Sequence, residues 1–559
     1  MTPRALICCL CLLSLAGCAA APRPVPAAAS APRPFTDIDQ EIAYRVFMGE
    51  LAQQRGMRRD AVEQYMAAAR LSQDPTLASH SALLAYGDGG LGQALEAAQR
   101  WRKLAPQSND AVHLAAVVEA RSGDAEAAAR DFEMLVESGS DSGYMTAAHL
   151  LEQETDAAHG LPVLQAIAAH APKSADAHYA LAHIAMNYKD YGLAEREARA
   201  TLALDPHGDE PLVLLTRALV AQDRVGEALP MLRARVRAAG DVSLALAYGA
   251  LLAEAKRGAE ARQEFETVLA AHPNNAEALY TLGLMTLQEK DLTAARGYFT
   301  RLLKSGKRTD DASYFLGNVA ETEKQYPEAL DWYHRVQAGE RWLAAQAGIG
   351  RALVKSGAPG AAGEFFDGLV ANDPDSMVNL RLTEGQVFSD SGASKQALAV
   401  YDAALQVAPG DQDLLYARAL VLEQDGDAAA AEHDLASILA QAPDDAEALN
   451  ALGYTLTLHT TRYREAQGYI QRALVLQPDD PAFLDSMGWV EHRLGHDGLA
   501  LDYLRKAYAG QADSEIAAHL VEVLLATGDE QGARALWVKA RESDPDSAAL
   551  RSLASRFTP

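Results

Sequence analysis

The apolar positions of this chain fall into a pattern that comes round again and again. Leu282-Gly283 is followed twelve residues after the glycine by Ala295, and then by Phe299. Leu316-Gly317 leads to Tyr326, Ala329 and Tyr333, and Met487-Gly488 leads to Ala500, Leu504 and Ala507. Leu452-Gly453 leads to Tyr463, Ala466, Ile470 and Ala473, with one extra residue in the HTTRY turn. Small residues at the glycine and alanine positions let two helices cross closely, and the larger apolar residues fill the groove between them. No segment alternates with the period of two that a half-buried strand requires. The pattern predicts an all-α chain.

Polar punctuation sets the period. Prolines close successive segments at Pro75, Pro106, Pro172, Pro206, Pro273, Pro374, Pro409, Pro443, Pro478 and Pro545, at intervals close to multiples of 34 residues. Asp480-Pro481 reads as a helix start, since aspartate caps exposed amides and proline suits the first helical turn. Gly495 and Asp497 are expected to stop one helix and cap the next. A helix–turn–helix unit of 34 residues resembles the tetratricopeptide repeat. That resemblance implies an α-solenoid, a superhelix of about fifteen repeats over residues 37–545, with residues 546–559 as a C-terminal cap. One repeat cannot bury its apolar face alone, so neighbours must stack. Residues 107–172 match the pattern only weakly and are expected to be a softer part of the stack.

The repeat register also says which side chains face outward. In tetratricopeptide repeats the first helix of each pair lines the concave face. With the leucine-glycine pair as positions seven and eight, position five holds Tyr179, Tyr280, Tyr314, Tyr416, Asn450 and Asp485, and position nine holds His183, Asn318, Tyr454 and Trp489. Such residues offer area and hydrogen bonds together, which suits capture of a peptide. The alternative is that the aromatic rings pack between adjacent first helices.

Composition narrows the partner. With 50 basic and 76 acidic residues the formal charge is −26, so the average surface repels a phosphate backbone and favours a basic partner. Aromatic residues make up only 6%, in keeping with close helix packing through alanine. Arg4 and the apolar run Ala5–Ala16, ending in Leu15-Ala16-Gly17-Cys18, resemble the signal peptide and lipobox of bacterial lipoproteins. The expectation is removal of residues 1–17, lipid on Cys18, and a Pro/Ala-rich tether over 18–36. Cys8, Cys9 and Cys11 lie inside the removed segment, which leaves no partner for a disulfide. By resemblance to Gram-negative sorting rules, Ala19 after the cysteine directs the protein to the periplasmic side of the outer membrane.

One stretch, FLDSMGWVEHRLGH (483–496), raises a chemical question. A zinc hydrolase helix needs two histidines on one face, with a glutamate reaching the metal-bound water. Here Glu491 precedes His492, and His496 lies beyond Gly495, where the helix should already have ended. No third ligand stands nearby, and no glycine-rich phosphate loop, calcium loop or nucleophile–base spacing occurs elsewhere. Acidic turns such as DPDS and PDDP read as helix caps. The expectation is no enzyme, no metal and no cofactor apart from the covalent lipid.

The C-terminal third carries further phrases: LNALGYTL (449–456), HTTRY (459–463), DSMGWVEHRLG (485–495) and EIAAHLVEVLLATGD (515–529). They resemble the C-terminal repeats of a proteobacterial family of tetratricopeptide repeat lipoproteins of the LbcA type. These are outer-membrane partners of a periplasmic carboxyl-terminal processing protease. The resemblance implies an adaptor that binds the protease and presents substrates such as cell-wall hydrolases. The other role open to such lipoproteins is a scaffold for an exopolysaccharide-export or pilus secretin machine.

Overall fold

The computed structural model describes residues 37–87, 90–137 and 143–557. The expected signal peptide, the expected lipid site at Cys18 and the expected tether lie outside the described residues. Among them every regular element is helical, with 31 α-helices and two short 3-10 turns. Helices from Ile38–Gln54 to Glu530–Ser543 follow one another as fifteen helix–turn–helix pairs. The chain is an α-solenoid whose described residues divide into two compact units on either side of Gly240. No helix among the described residues is long and apolar enough to cross a membrane.

Helix starts follow from local chemistry. Side chains of Asp156, Asp190, Asp241, Asn275, Asp411 and Asp445 each accept a bond from a first-turn amide. Asp480 accepts from the amides of both Ala482 and Phe483, with Pro481 in the first helical position. The acidic turns are less uniform than expected. At 544–547 it is Ser547 that caps, and at 373–376 the chain makes a 3-10 turn in which the Ser376 hydroxyl donates to Asp373. Gly495 turns into left-handed backbone (φ +84°) after helix Pro481–Arg493. Asp497 does not cap the next helix. It stands inside it, and its carboxylate takes the His492 imidazole instead.

The close crossings are visible atom by atom. A Cβ added to Gly283 would sit 2.6 Å from the Phe299 ring, and one added to Gly317 would sit 2.5 Å from the Tyr333 ring. Gly453 and Gly488 meet Ile470 and Leu504 in the same way. These are the pairs the sequence pattern joins, so any larger residue at those glycines drives the two helices of a repeat apart.

The first unit contains the weakly matching stretch, and its described helices pack in a different order from the rest. Helix Ala157–His170 packs chiefly on Ala125–Glu137, while Gly143–Glu154 packs on the later helix Ala175–Asn187. Phe132, Leu151 and Val163 are fully buried there, in one cluster with Ile167 and Leu181. Alanines such as Ala116, Ala128 and Ala148 fill the space between these large side chains. In the second unit the last turns close the stack: Leu550, Leu553 and Phe557 are buried, and the Trp537 indole donates to the Leu550 carbonyl at 2.8 Å.

Candidate functional site

Four consecutive first helices of the second unit surround one cavity, the first three with their position-five residues, the first two also with position nine, and the last with its first turn. The helices are Gln412–Gln424, Ala446–His459, Pro481–Arg493 and Ser514–Ala526. The cavity, about 330 Å³, is walled by Tyr416, Asn450, Tyr454 and Asp485, with Asp513, Glu515 and Ile516 from the last of the four. Tyr416, Asn450, Tyr454 and Asp485 are residues that the register marks, and Leu420, Ala451, Ala482 and Ser486 complete the wall on the first three helices. Tyr416 and Tyr454 are half-buried, so each shows part of a ring face while its body is held by neighbours.

Behind the wall lies a buried polar group. Asp485 accepts from the His519 imidazole at 2.9 Å, and both side chains are largely withdrawn from water. Burial by itself would push His519 down, but the Asp485 carboxylate, with Glu515 and Glu522 nearby, outweighs it and lifts the imidazole above its usual range. Trp489 lies stacked on His519, ring centroids 4.4 Å apart, and also touches His492. It is 8% exposed and is not on the cavity wall, so its ring packs between adjacent first helices. The Tyr454 hydroxyl donates to Glu515 at 2.9 Å. Burial, then Glu515, moves the Tyr454 phenol well above its ordinary range, and burial with Glu447 and Asp445 raises that of Tyr416. Both phenols therefore stay neutral and act as donors and ring faces, not as bases.

Two buried polar atoms here have no partner among the described residues: the Asn450 carboxamide oxygen and the Trp489 indole nitrogen. Most buried polar groups are paired, so an unpaired acceptor on a cavity wall is a place where a donor gains.

Elsewhere the register residues have different fates. Tyr280 carries the Arg308 guanidinium on its face, 3.6 Å from the ring centroid, and its hydroxyl receives Arg341 at 3.2 Å. Tyr314 lies against Phe315, Tyr333 and Arg341. Asn318 turns its carboxamide oxygen to the hydroxyl of the fully buried Tyr333, at 2.7 Å, which binds it into its own repeat. In the first unit Tyr179 and His183 are half-buried neighbours, ring centroids 6.3 Å apart, and His149 meets His183 edge-on. Burial, aided by His149 and Arg217, pushes His183 down, and its Nδ1 has no partner among the described residues.

The histidine stretch resolves into separate pairs. His492 faces Asp497 at 2.6 Å and His496 faces Glu491 at 2.6 Å, and Gln467 donates to the other Glu491 oxygen. The two imidazoles thus point at different carboxylates. Among the described residues no group of three or more His, Cys, Asp or Glu is placed to hold a metal ion.

Register reasoning found the wall but missed His519, Glu515 and the arginines. His519 and Glu515 belong to a repeat with Leu520-Val521, where the other repeats named above have glycine or alanine at position eight. The usable signal was the cap: Asp513, eight residues before Val521, aligns that helix with the rest.

Comparison with known proteins follows the same lines. The tetratricopeptide repeat model matches residues 257–307, 290–341 and 382–446. The chain is 34% identical over 508 residues to the TPR repeat-containing protein PA4667 of Pseudomonas aeruginosa, covering 88% of this chain and 84% of that one. Among solved structures, yeast Tom70 is 13% identical, with 93% of this chain and 100% of that one covered at a TM-score of 0.33. A thermophilic TPR protein of Thermus thermophilus is 24% identical, with 32% and 96% covered at a TM-score of 0.30. TM-scores of this size bear on neither shape nor function. The period, the glycine–ring crossings and the relative from Pseudomonas agree, and this chain belongs to the tetratricopeptide repeat proteins, which are protein-binding scaffolds.

Proposed function

We propose that the protein is a lipid-anchored scaffold on the periplasmic face of the outer membrane, and that it serves as the adaptor of a carboxyl-terminal processing protease. The observation that carries the binding part of this reading is the cavity walled by Tyr416, Asn450, Tyr454 and Asp485. Ring faces, neutral phenols and unspent acceptors on one wall are the equipment of a peptide-binding surface. The anchoring part is supported by the Leu15-Ala16-Gly17-Cys18 motif, and the protease part by the LbcA-type phrases between 449 and 529. Partners gripped by different repeats of one membrane-tethered chain meet at raised effective concentration, which is how a scaffold without catalytic groups promotes proteolysis.

The test is affinity capture from detergent-solubilised envelope with the full chain as bait. Recovery of a carboxyl-terminal processing protease is expected, and its repeated absence with intact bait overturns the adaptor reading. In the same preparation Cys18→Ser should move the protein from the membrane to the soluble fraction. Undiminished membrane association of that variant refutes the lipid anchor.

A further inference from the structure

The chain contains two versions of one arrangement, and only one of them is complete. Position two of the first helices, three residues before position five, is acidic in several repeats of the second unit: Glu277, Asp311, Asp413 and Glu447, with Glu515 at the same place in the last of the four cavity helices. Around Tyr280 a cation fills the space these acids create. Arg308 lies on the ring and bonds to Glu277 at 3.1 Å and to Asp311 at 3.0 Å, while Arg341 bonds to Asp311 at 3.1 Å. Arg308 and Arg341 reach these positions because each is the N-cap residue of a first helix, Thr309–Thr322 and Trp342–Lys355.

In the later repeats tyrosines and position-two acids recur, and the N-cap residue changes sign. Asp445, Asp480 and Asp513 are the N-cap residues there, one position nearer the small residue at position eight than Arg308 and Arg341. Among the described residues neither Glu515 nor Asp513 has a lysine or arginine partner; Glu515 receives only the Tyr454 hydroxyl, and Asp513 caps its own helix. His519 is committed to Asp485. The Asn450 oxygen waits without a donor on the same wall. Tyrosine faces beside unneutralised carboxylates and an unspent amide acceptor are what a desolvated ammonium or guanidinium requires. A cavity of about 330 Å³ admits one long side chain, not a folded domain.

We infer that this cavity takes a lysine or arginine side chain presented by an extended segment of a protein partner, in the role that Arg308 plays within the chain at Tyr280. The inference rests on the reading of the groove as a protein-binding surface and adds the chemistry of what it binds. An acidic segment meets the same carboxylates as repulsion, and a neutral one leaves them and Asn450 unsatisfied.

The experiment measures fluorescence anisotropy of labelled extended nonapeptides on the full chain. One peptide carries two lysines two residues apart, and its counterpart carries acetyl-lysine at both. The lysine peptide should bind at least about tenfold more tightly, and the Asp513→Asn/Glu515→Gln double variant should abolish that preference. Asparagine still caps the helix, so unchanged helicity is expected of the variant. Equal binding of both peptides overturns the inference while leaving a binding groove in place. A preference that survives the double variant overturns it too, because the cation is then held elsewhere. Binding of neither peptide removes the inference and the peptide-binding reading together.

Discussion

Tyr280 holds a guanidinium against its ring, whereas Tyr416, at the same position in its own repeat, faces a cavity. The two sites share a helix register, an acid at position two and a half-buried phenol. They differ in the charge at the starts of the helices that follow: Arg308 and Arg341 reach the first site, while Asp445 caps the helix beside the second. An aspartate there accepts an amide bond and stabilises its helix, by about 1 kcal/mol relative to a residue that does not cap. Arg308 and Arg341 make no cap bond. The two arginine repeats thus forgo a cap and gain ion pairs across the groove; the aspartate repeats keep the cap and leave the groove charge unanswered. Local helix stability and groove electrostatics are set by the same side chain.

The largest expected effect comes from the pair behind the open site. Asp485→Ala leaves His519 buried without its counter-ion, and loss of one partner from such a pair should cost about 2–3 kcal/mol. Amide hydrogen exchange in helices Pro481–Arg493 and Ser514–Ala526 reads this locally. Unchanged protection there means that the pair does not hold the wall.

A smaller effect is expected at the closed site. Arg308→Ala removes one cation–π contact and two part-exposed ion pairs, together about 1 kcal/mol. The same change should turn the closed site into an open one. The lysine nonapeptide is expected to gain a second, weaker site on this variant, read as a change in stoichiometry by isothermal titration calorimetry. A stoichiometry unchanged from wild type breaks the equivalence of the two regions.

The smallest effect is the pH response of the wall. Because His519 is lifted above its ordinary value of 6.5, its pairing with Asp485 contributes fully below that pH. The contribution is lost as pH rises through the raised value in the folded chain. The difference in stability between wild type and His519→Gln should therefore shrink from pH 6 to pH 9, measured as denaturant midpoints. A difference that is flat or grows with pH excludes the charged pair.

Much of this was legible in the chain itself. The crossings of Gly283 on Phe299 and Gly317 on Tyr333 follow from a spacing that only helix pairs satisfy. Tyr416, Asn450, Tyr454 and Asp485 meet at one cavity because register alone fixes which helix face they occupy. What register cannot supply is the neighbour. Trp489 has a groove position, yet His519 from the next repeat lies flat on it and closes it off. Asn318 is similarly occupied by Tyr333, which is held between Gly317 and Gly348 at the end of the short helix Tyr326–Tyr333. The stretch 107–172 matches the pattern weakly because Gly143–Glu154 and Ala157–His170 pack mainly on other helices and little on each other. Asp497 looked like a cap, but the His492 imidazole one turn back competes for its carboxylate.

The N-cap position has one more consequence. It lies at the rim of each repeat, outside the interdigitated core, so exchanging its residue leaves the glycine–ring crossings untouched. A row of stacked repeats then behaves like type set in a line, with each letter replaceable while the line holds. Exchange of Asp445 for arginine, or of Arg308 for aspartate, rewrites one letter of the recognised sequence. Partner preference in such a chain is inherited letter by letter, on a backbone that need not change.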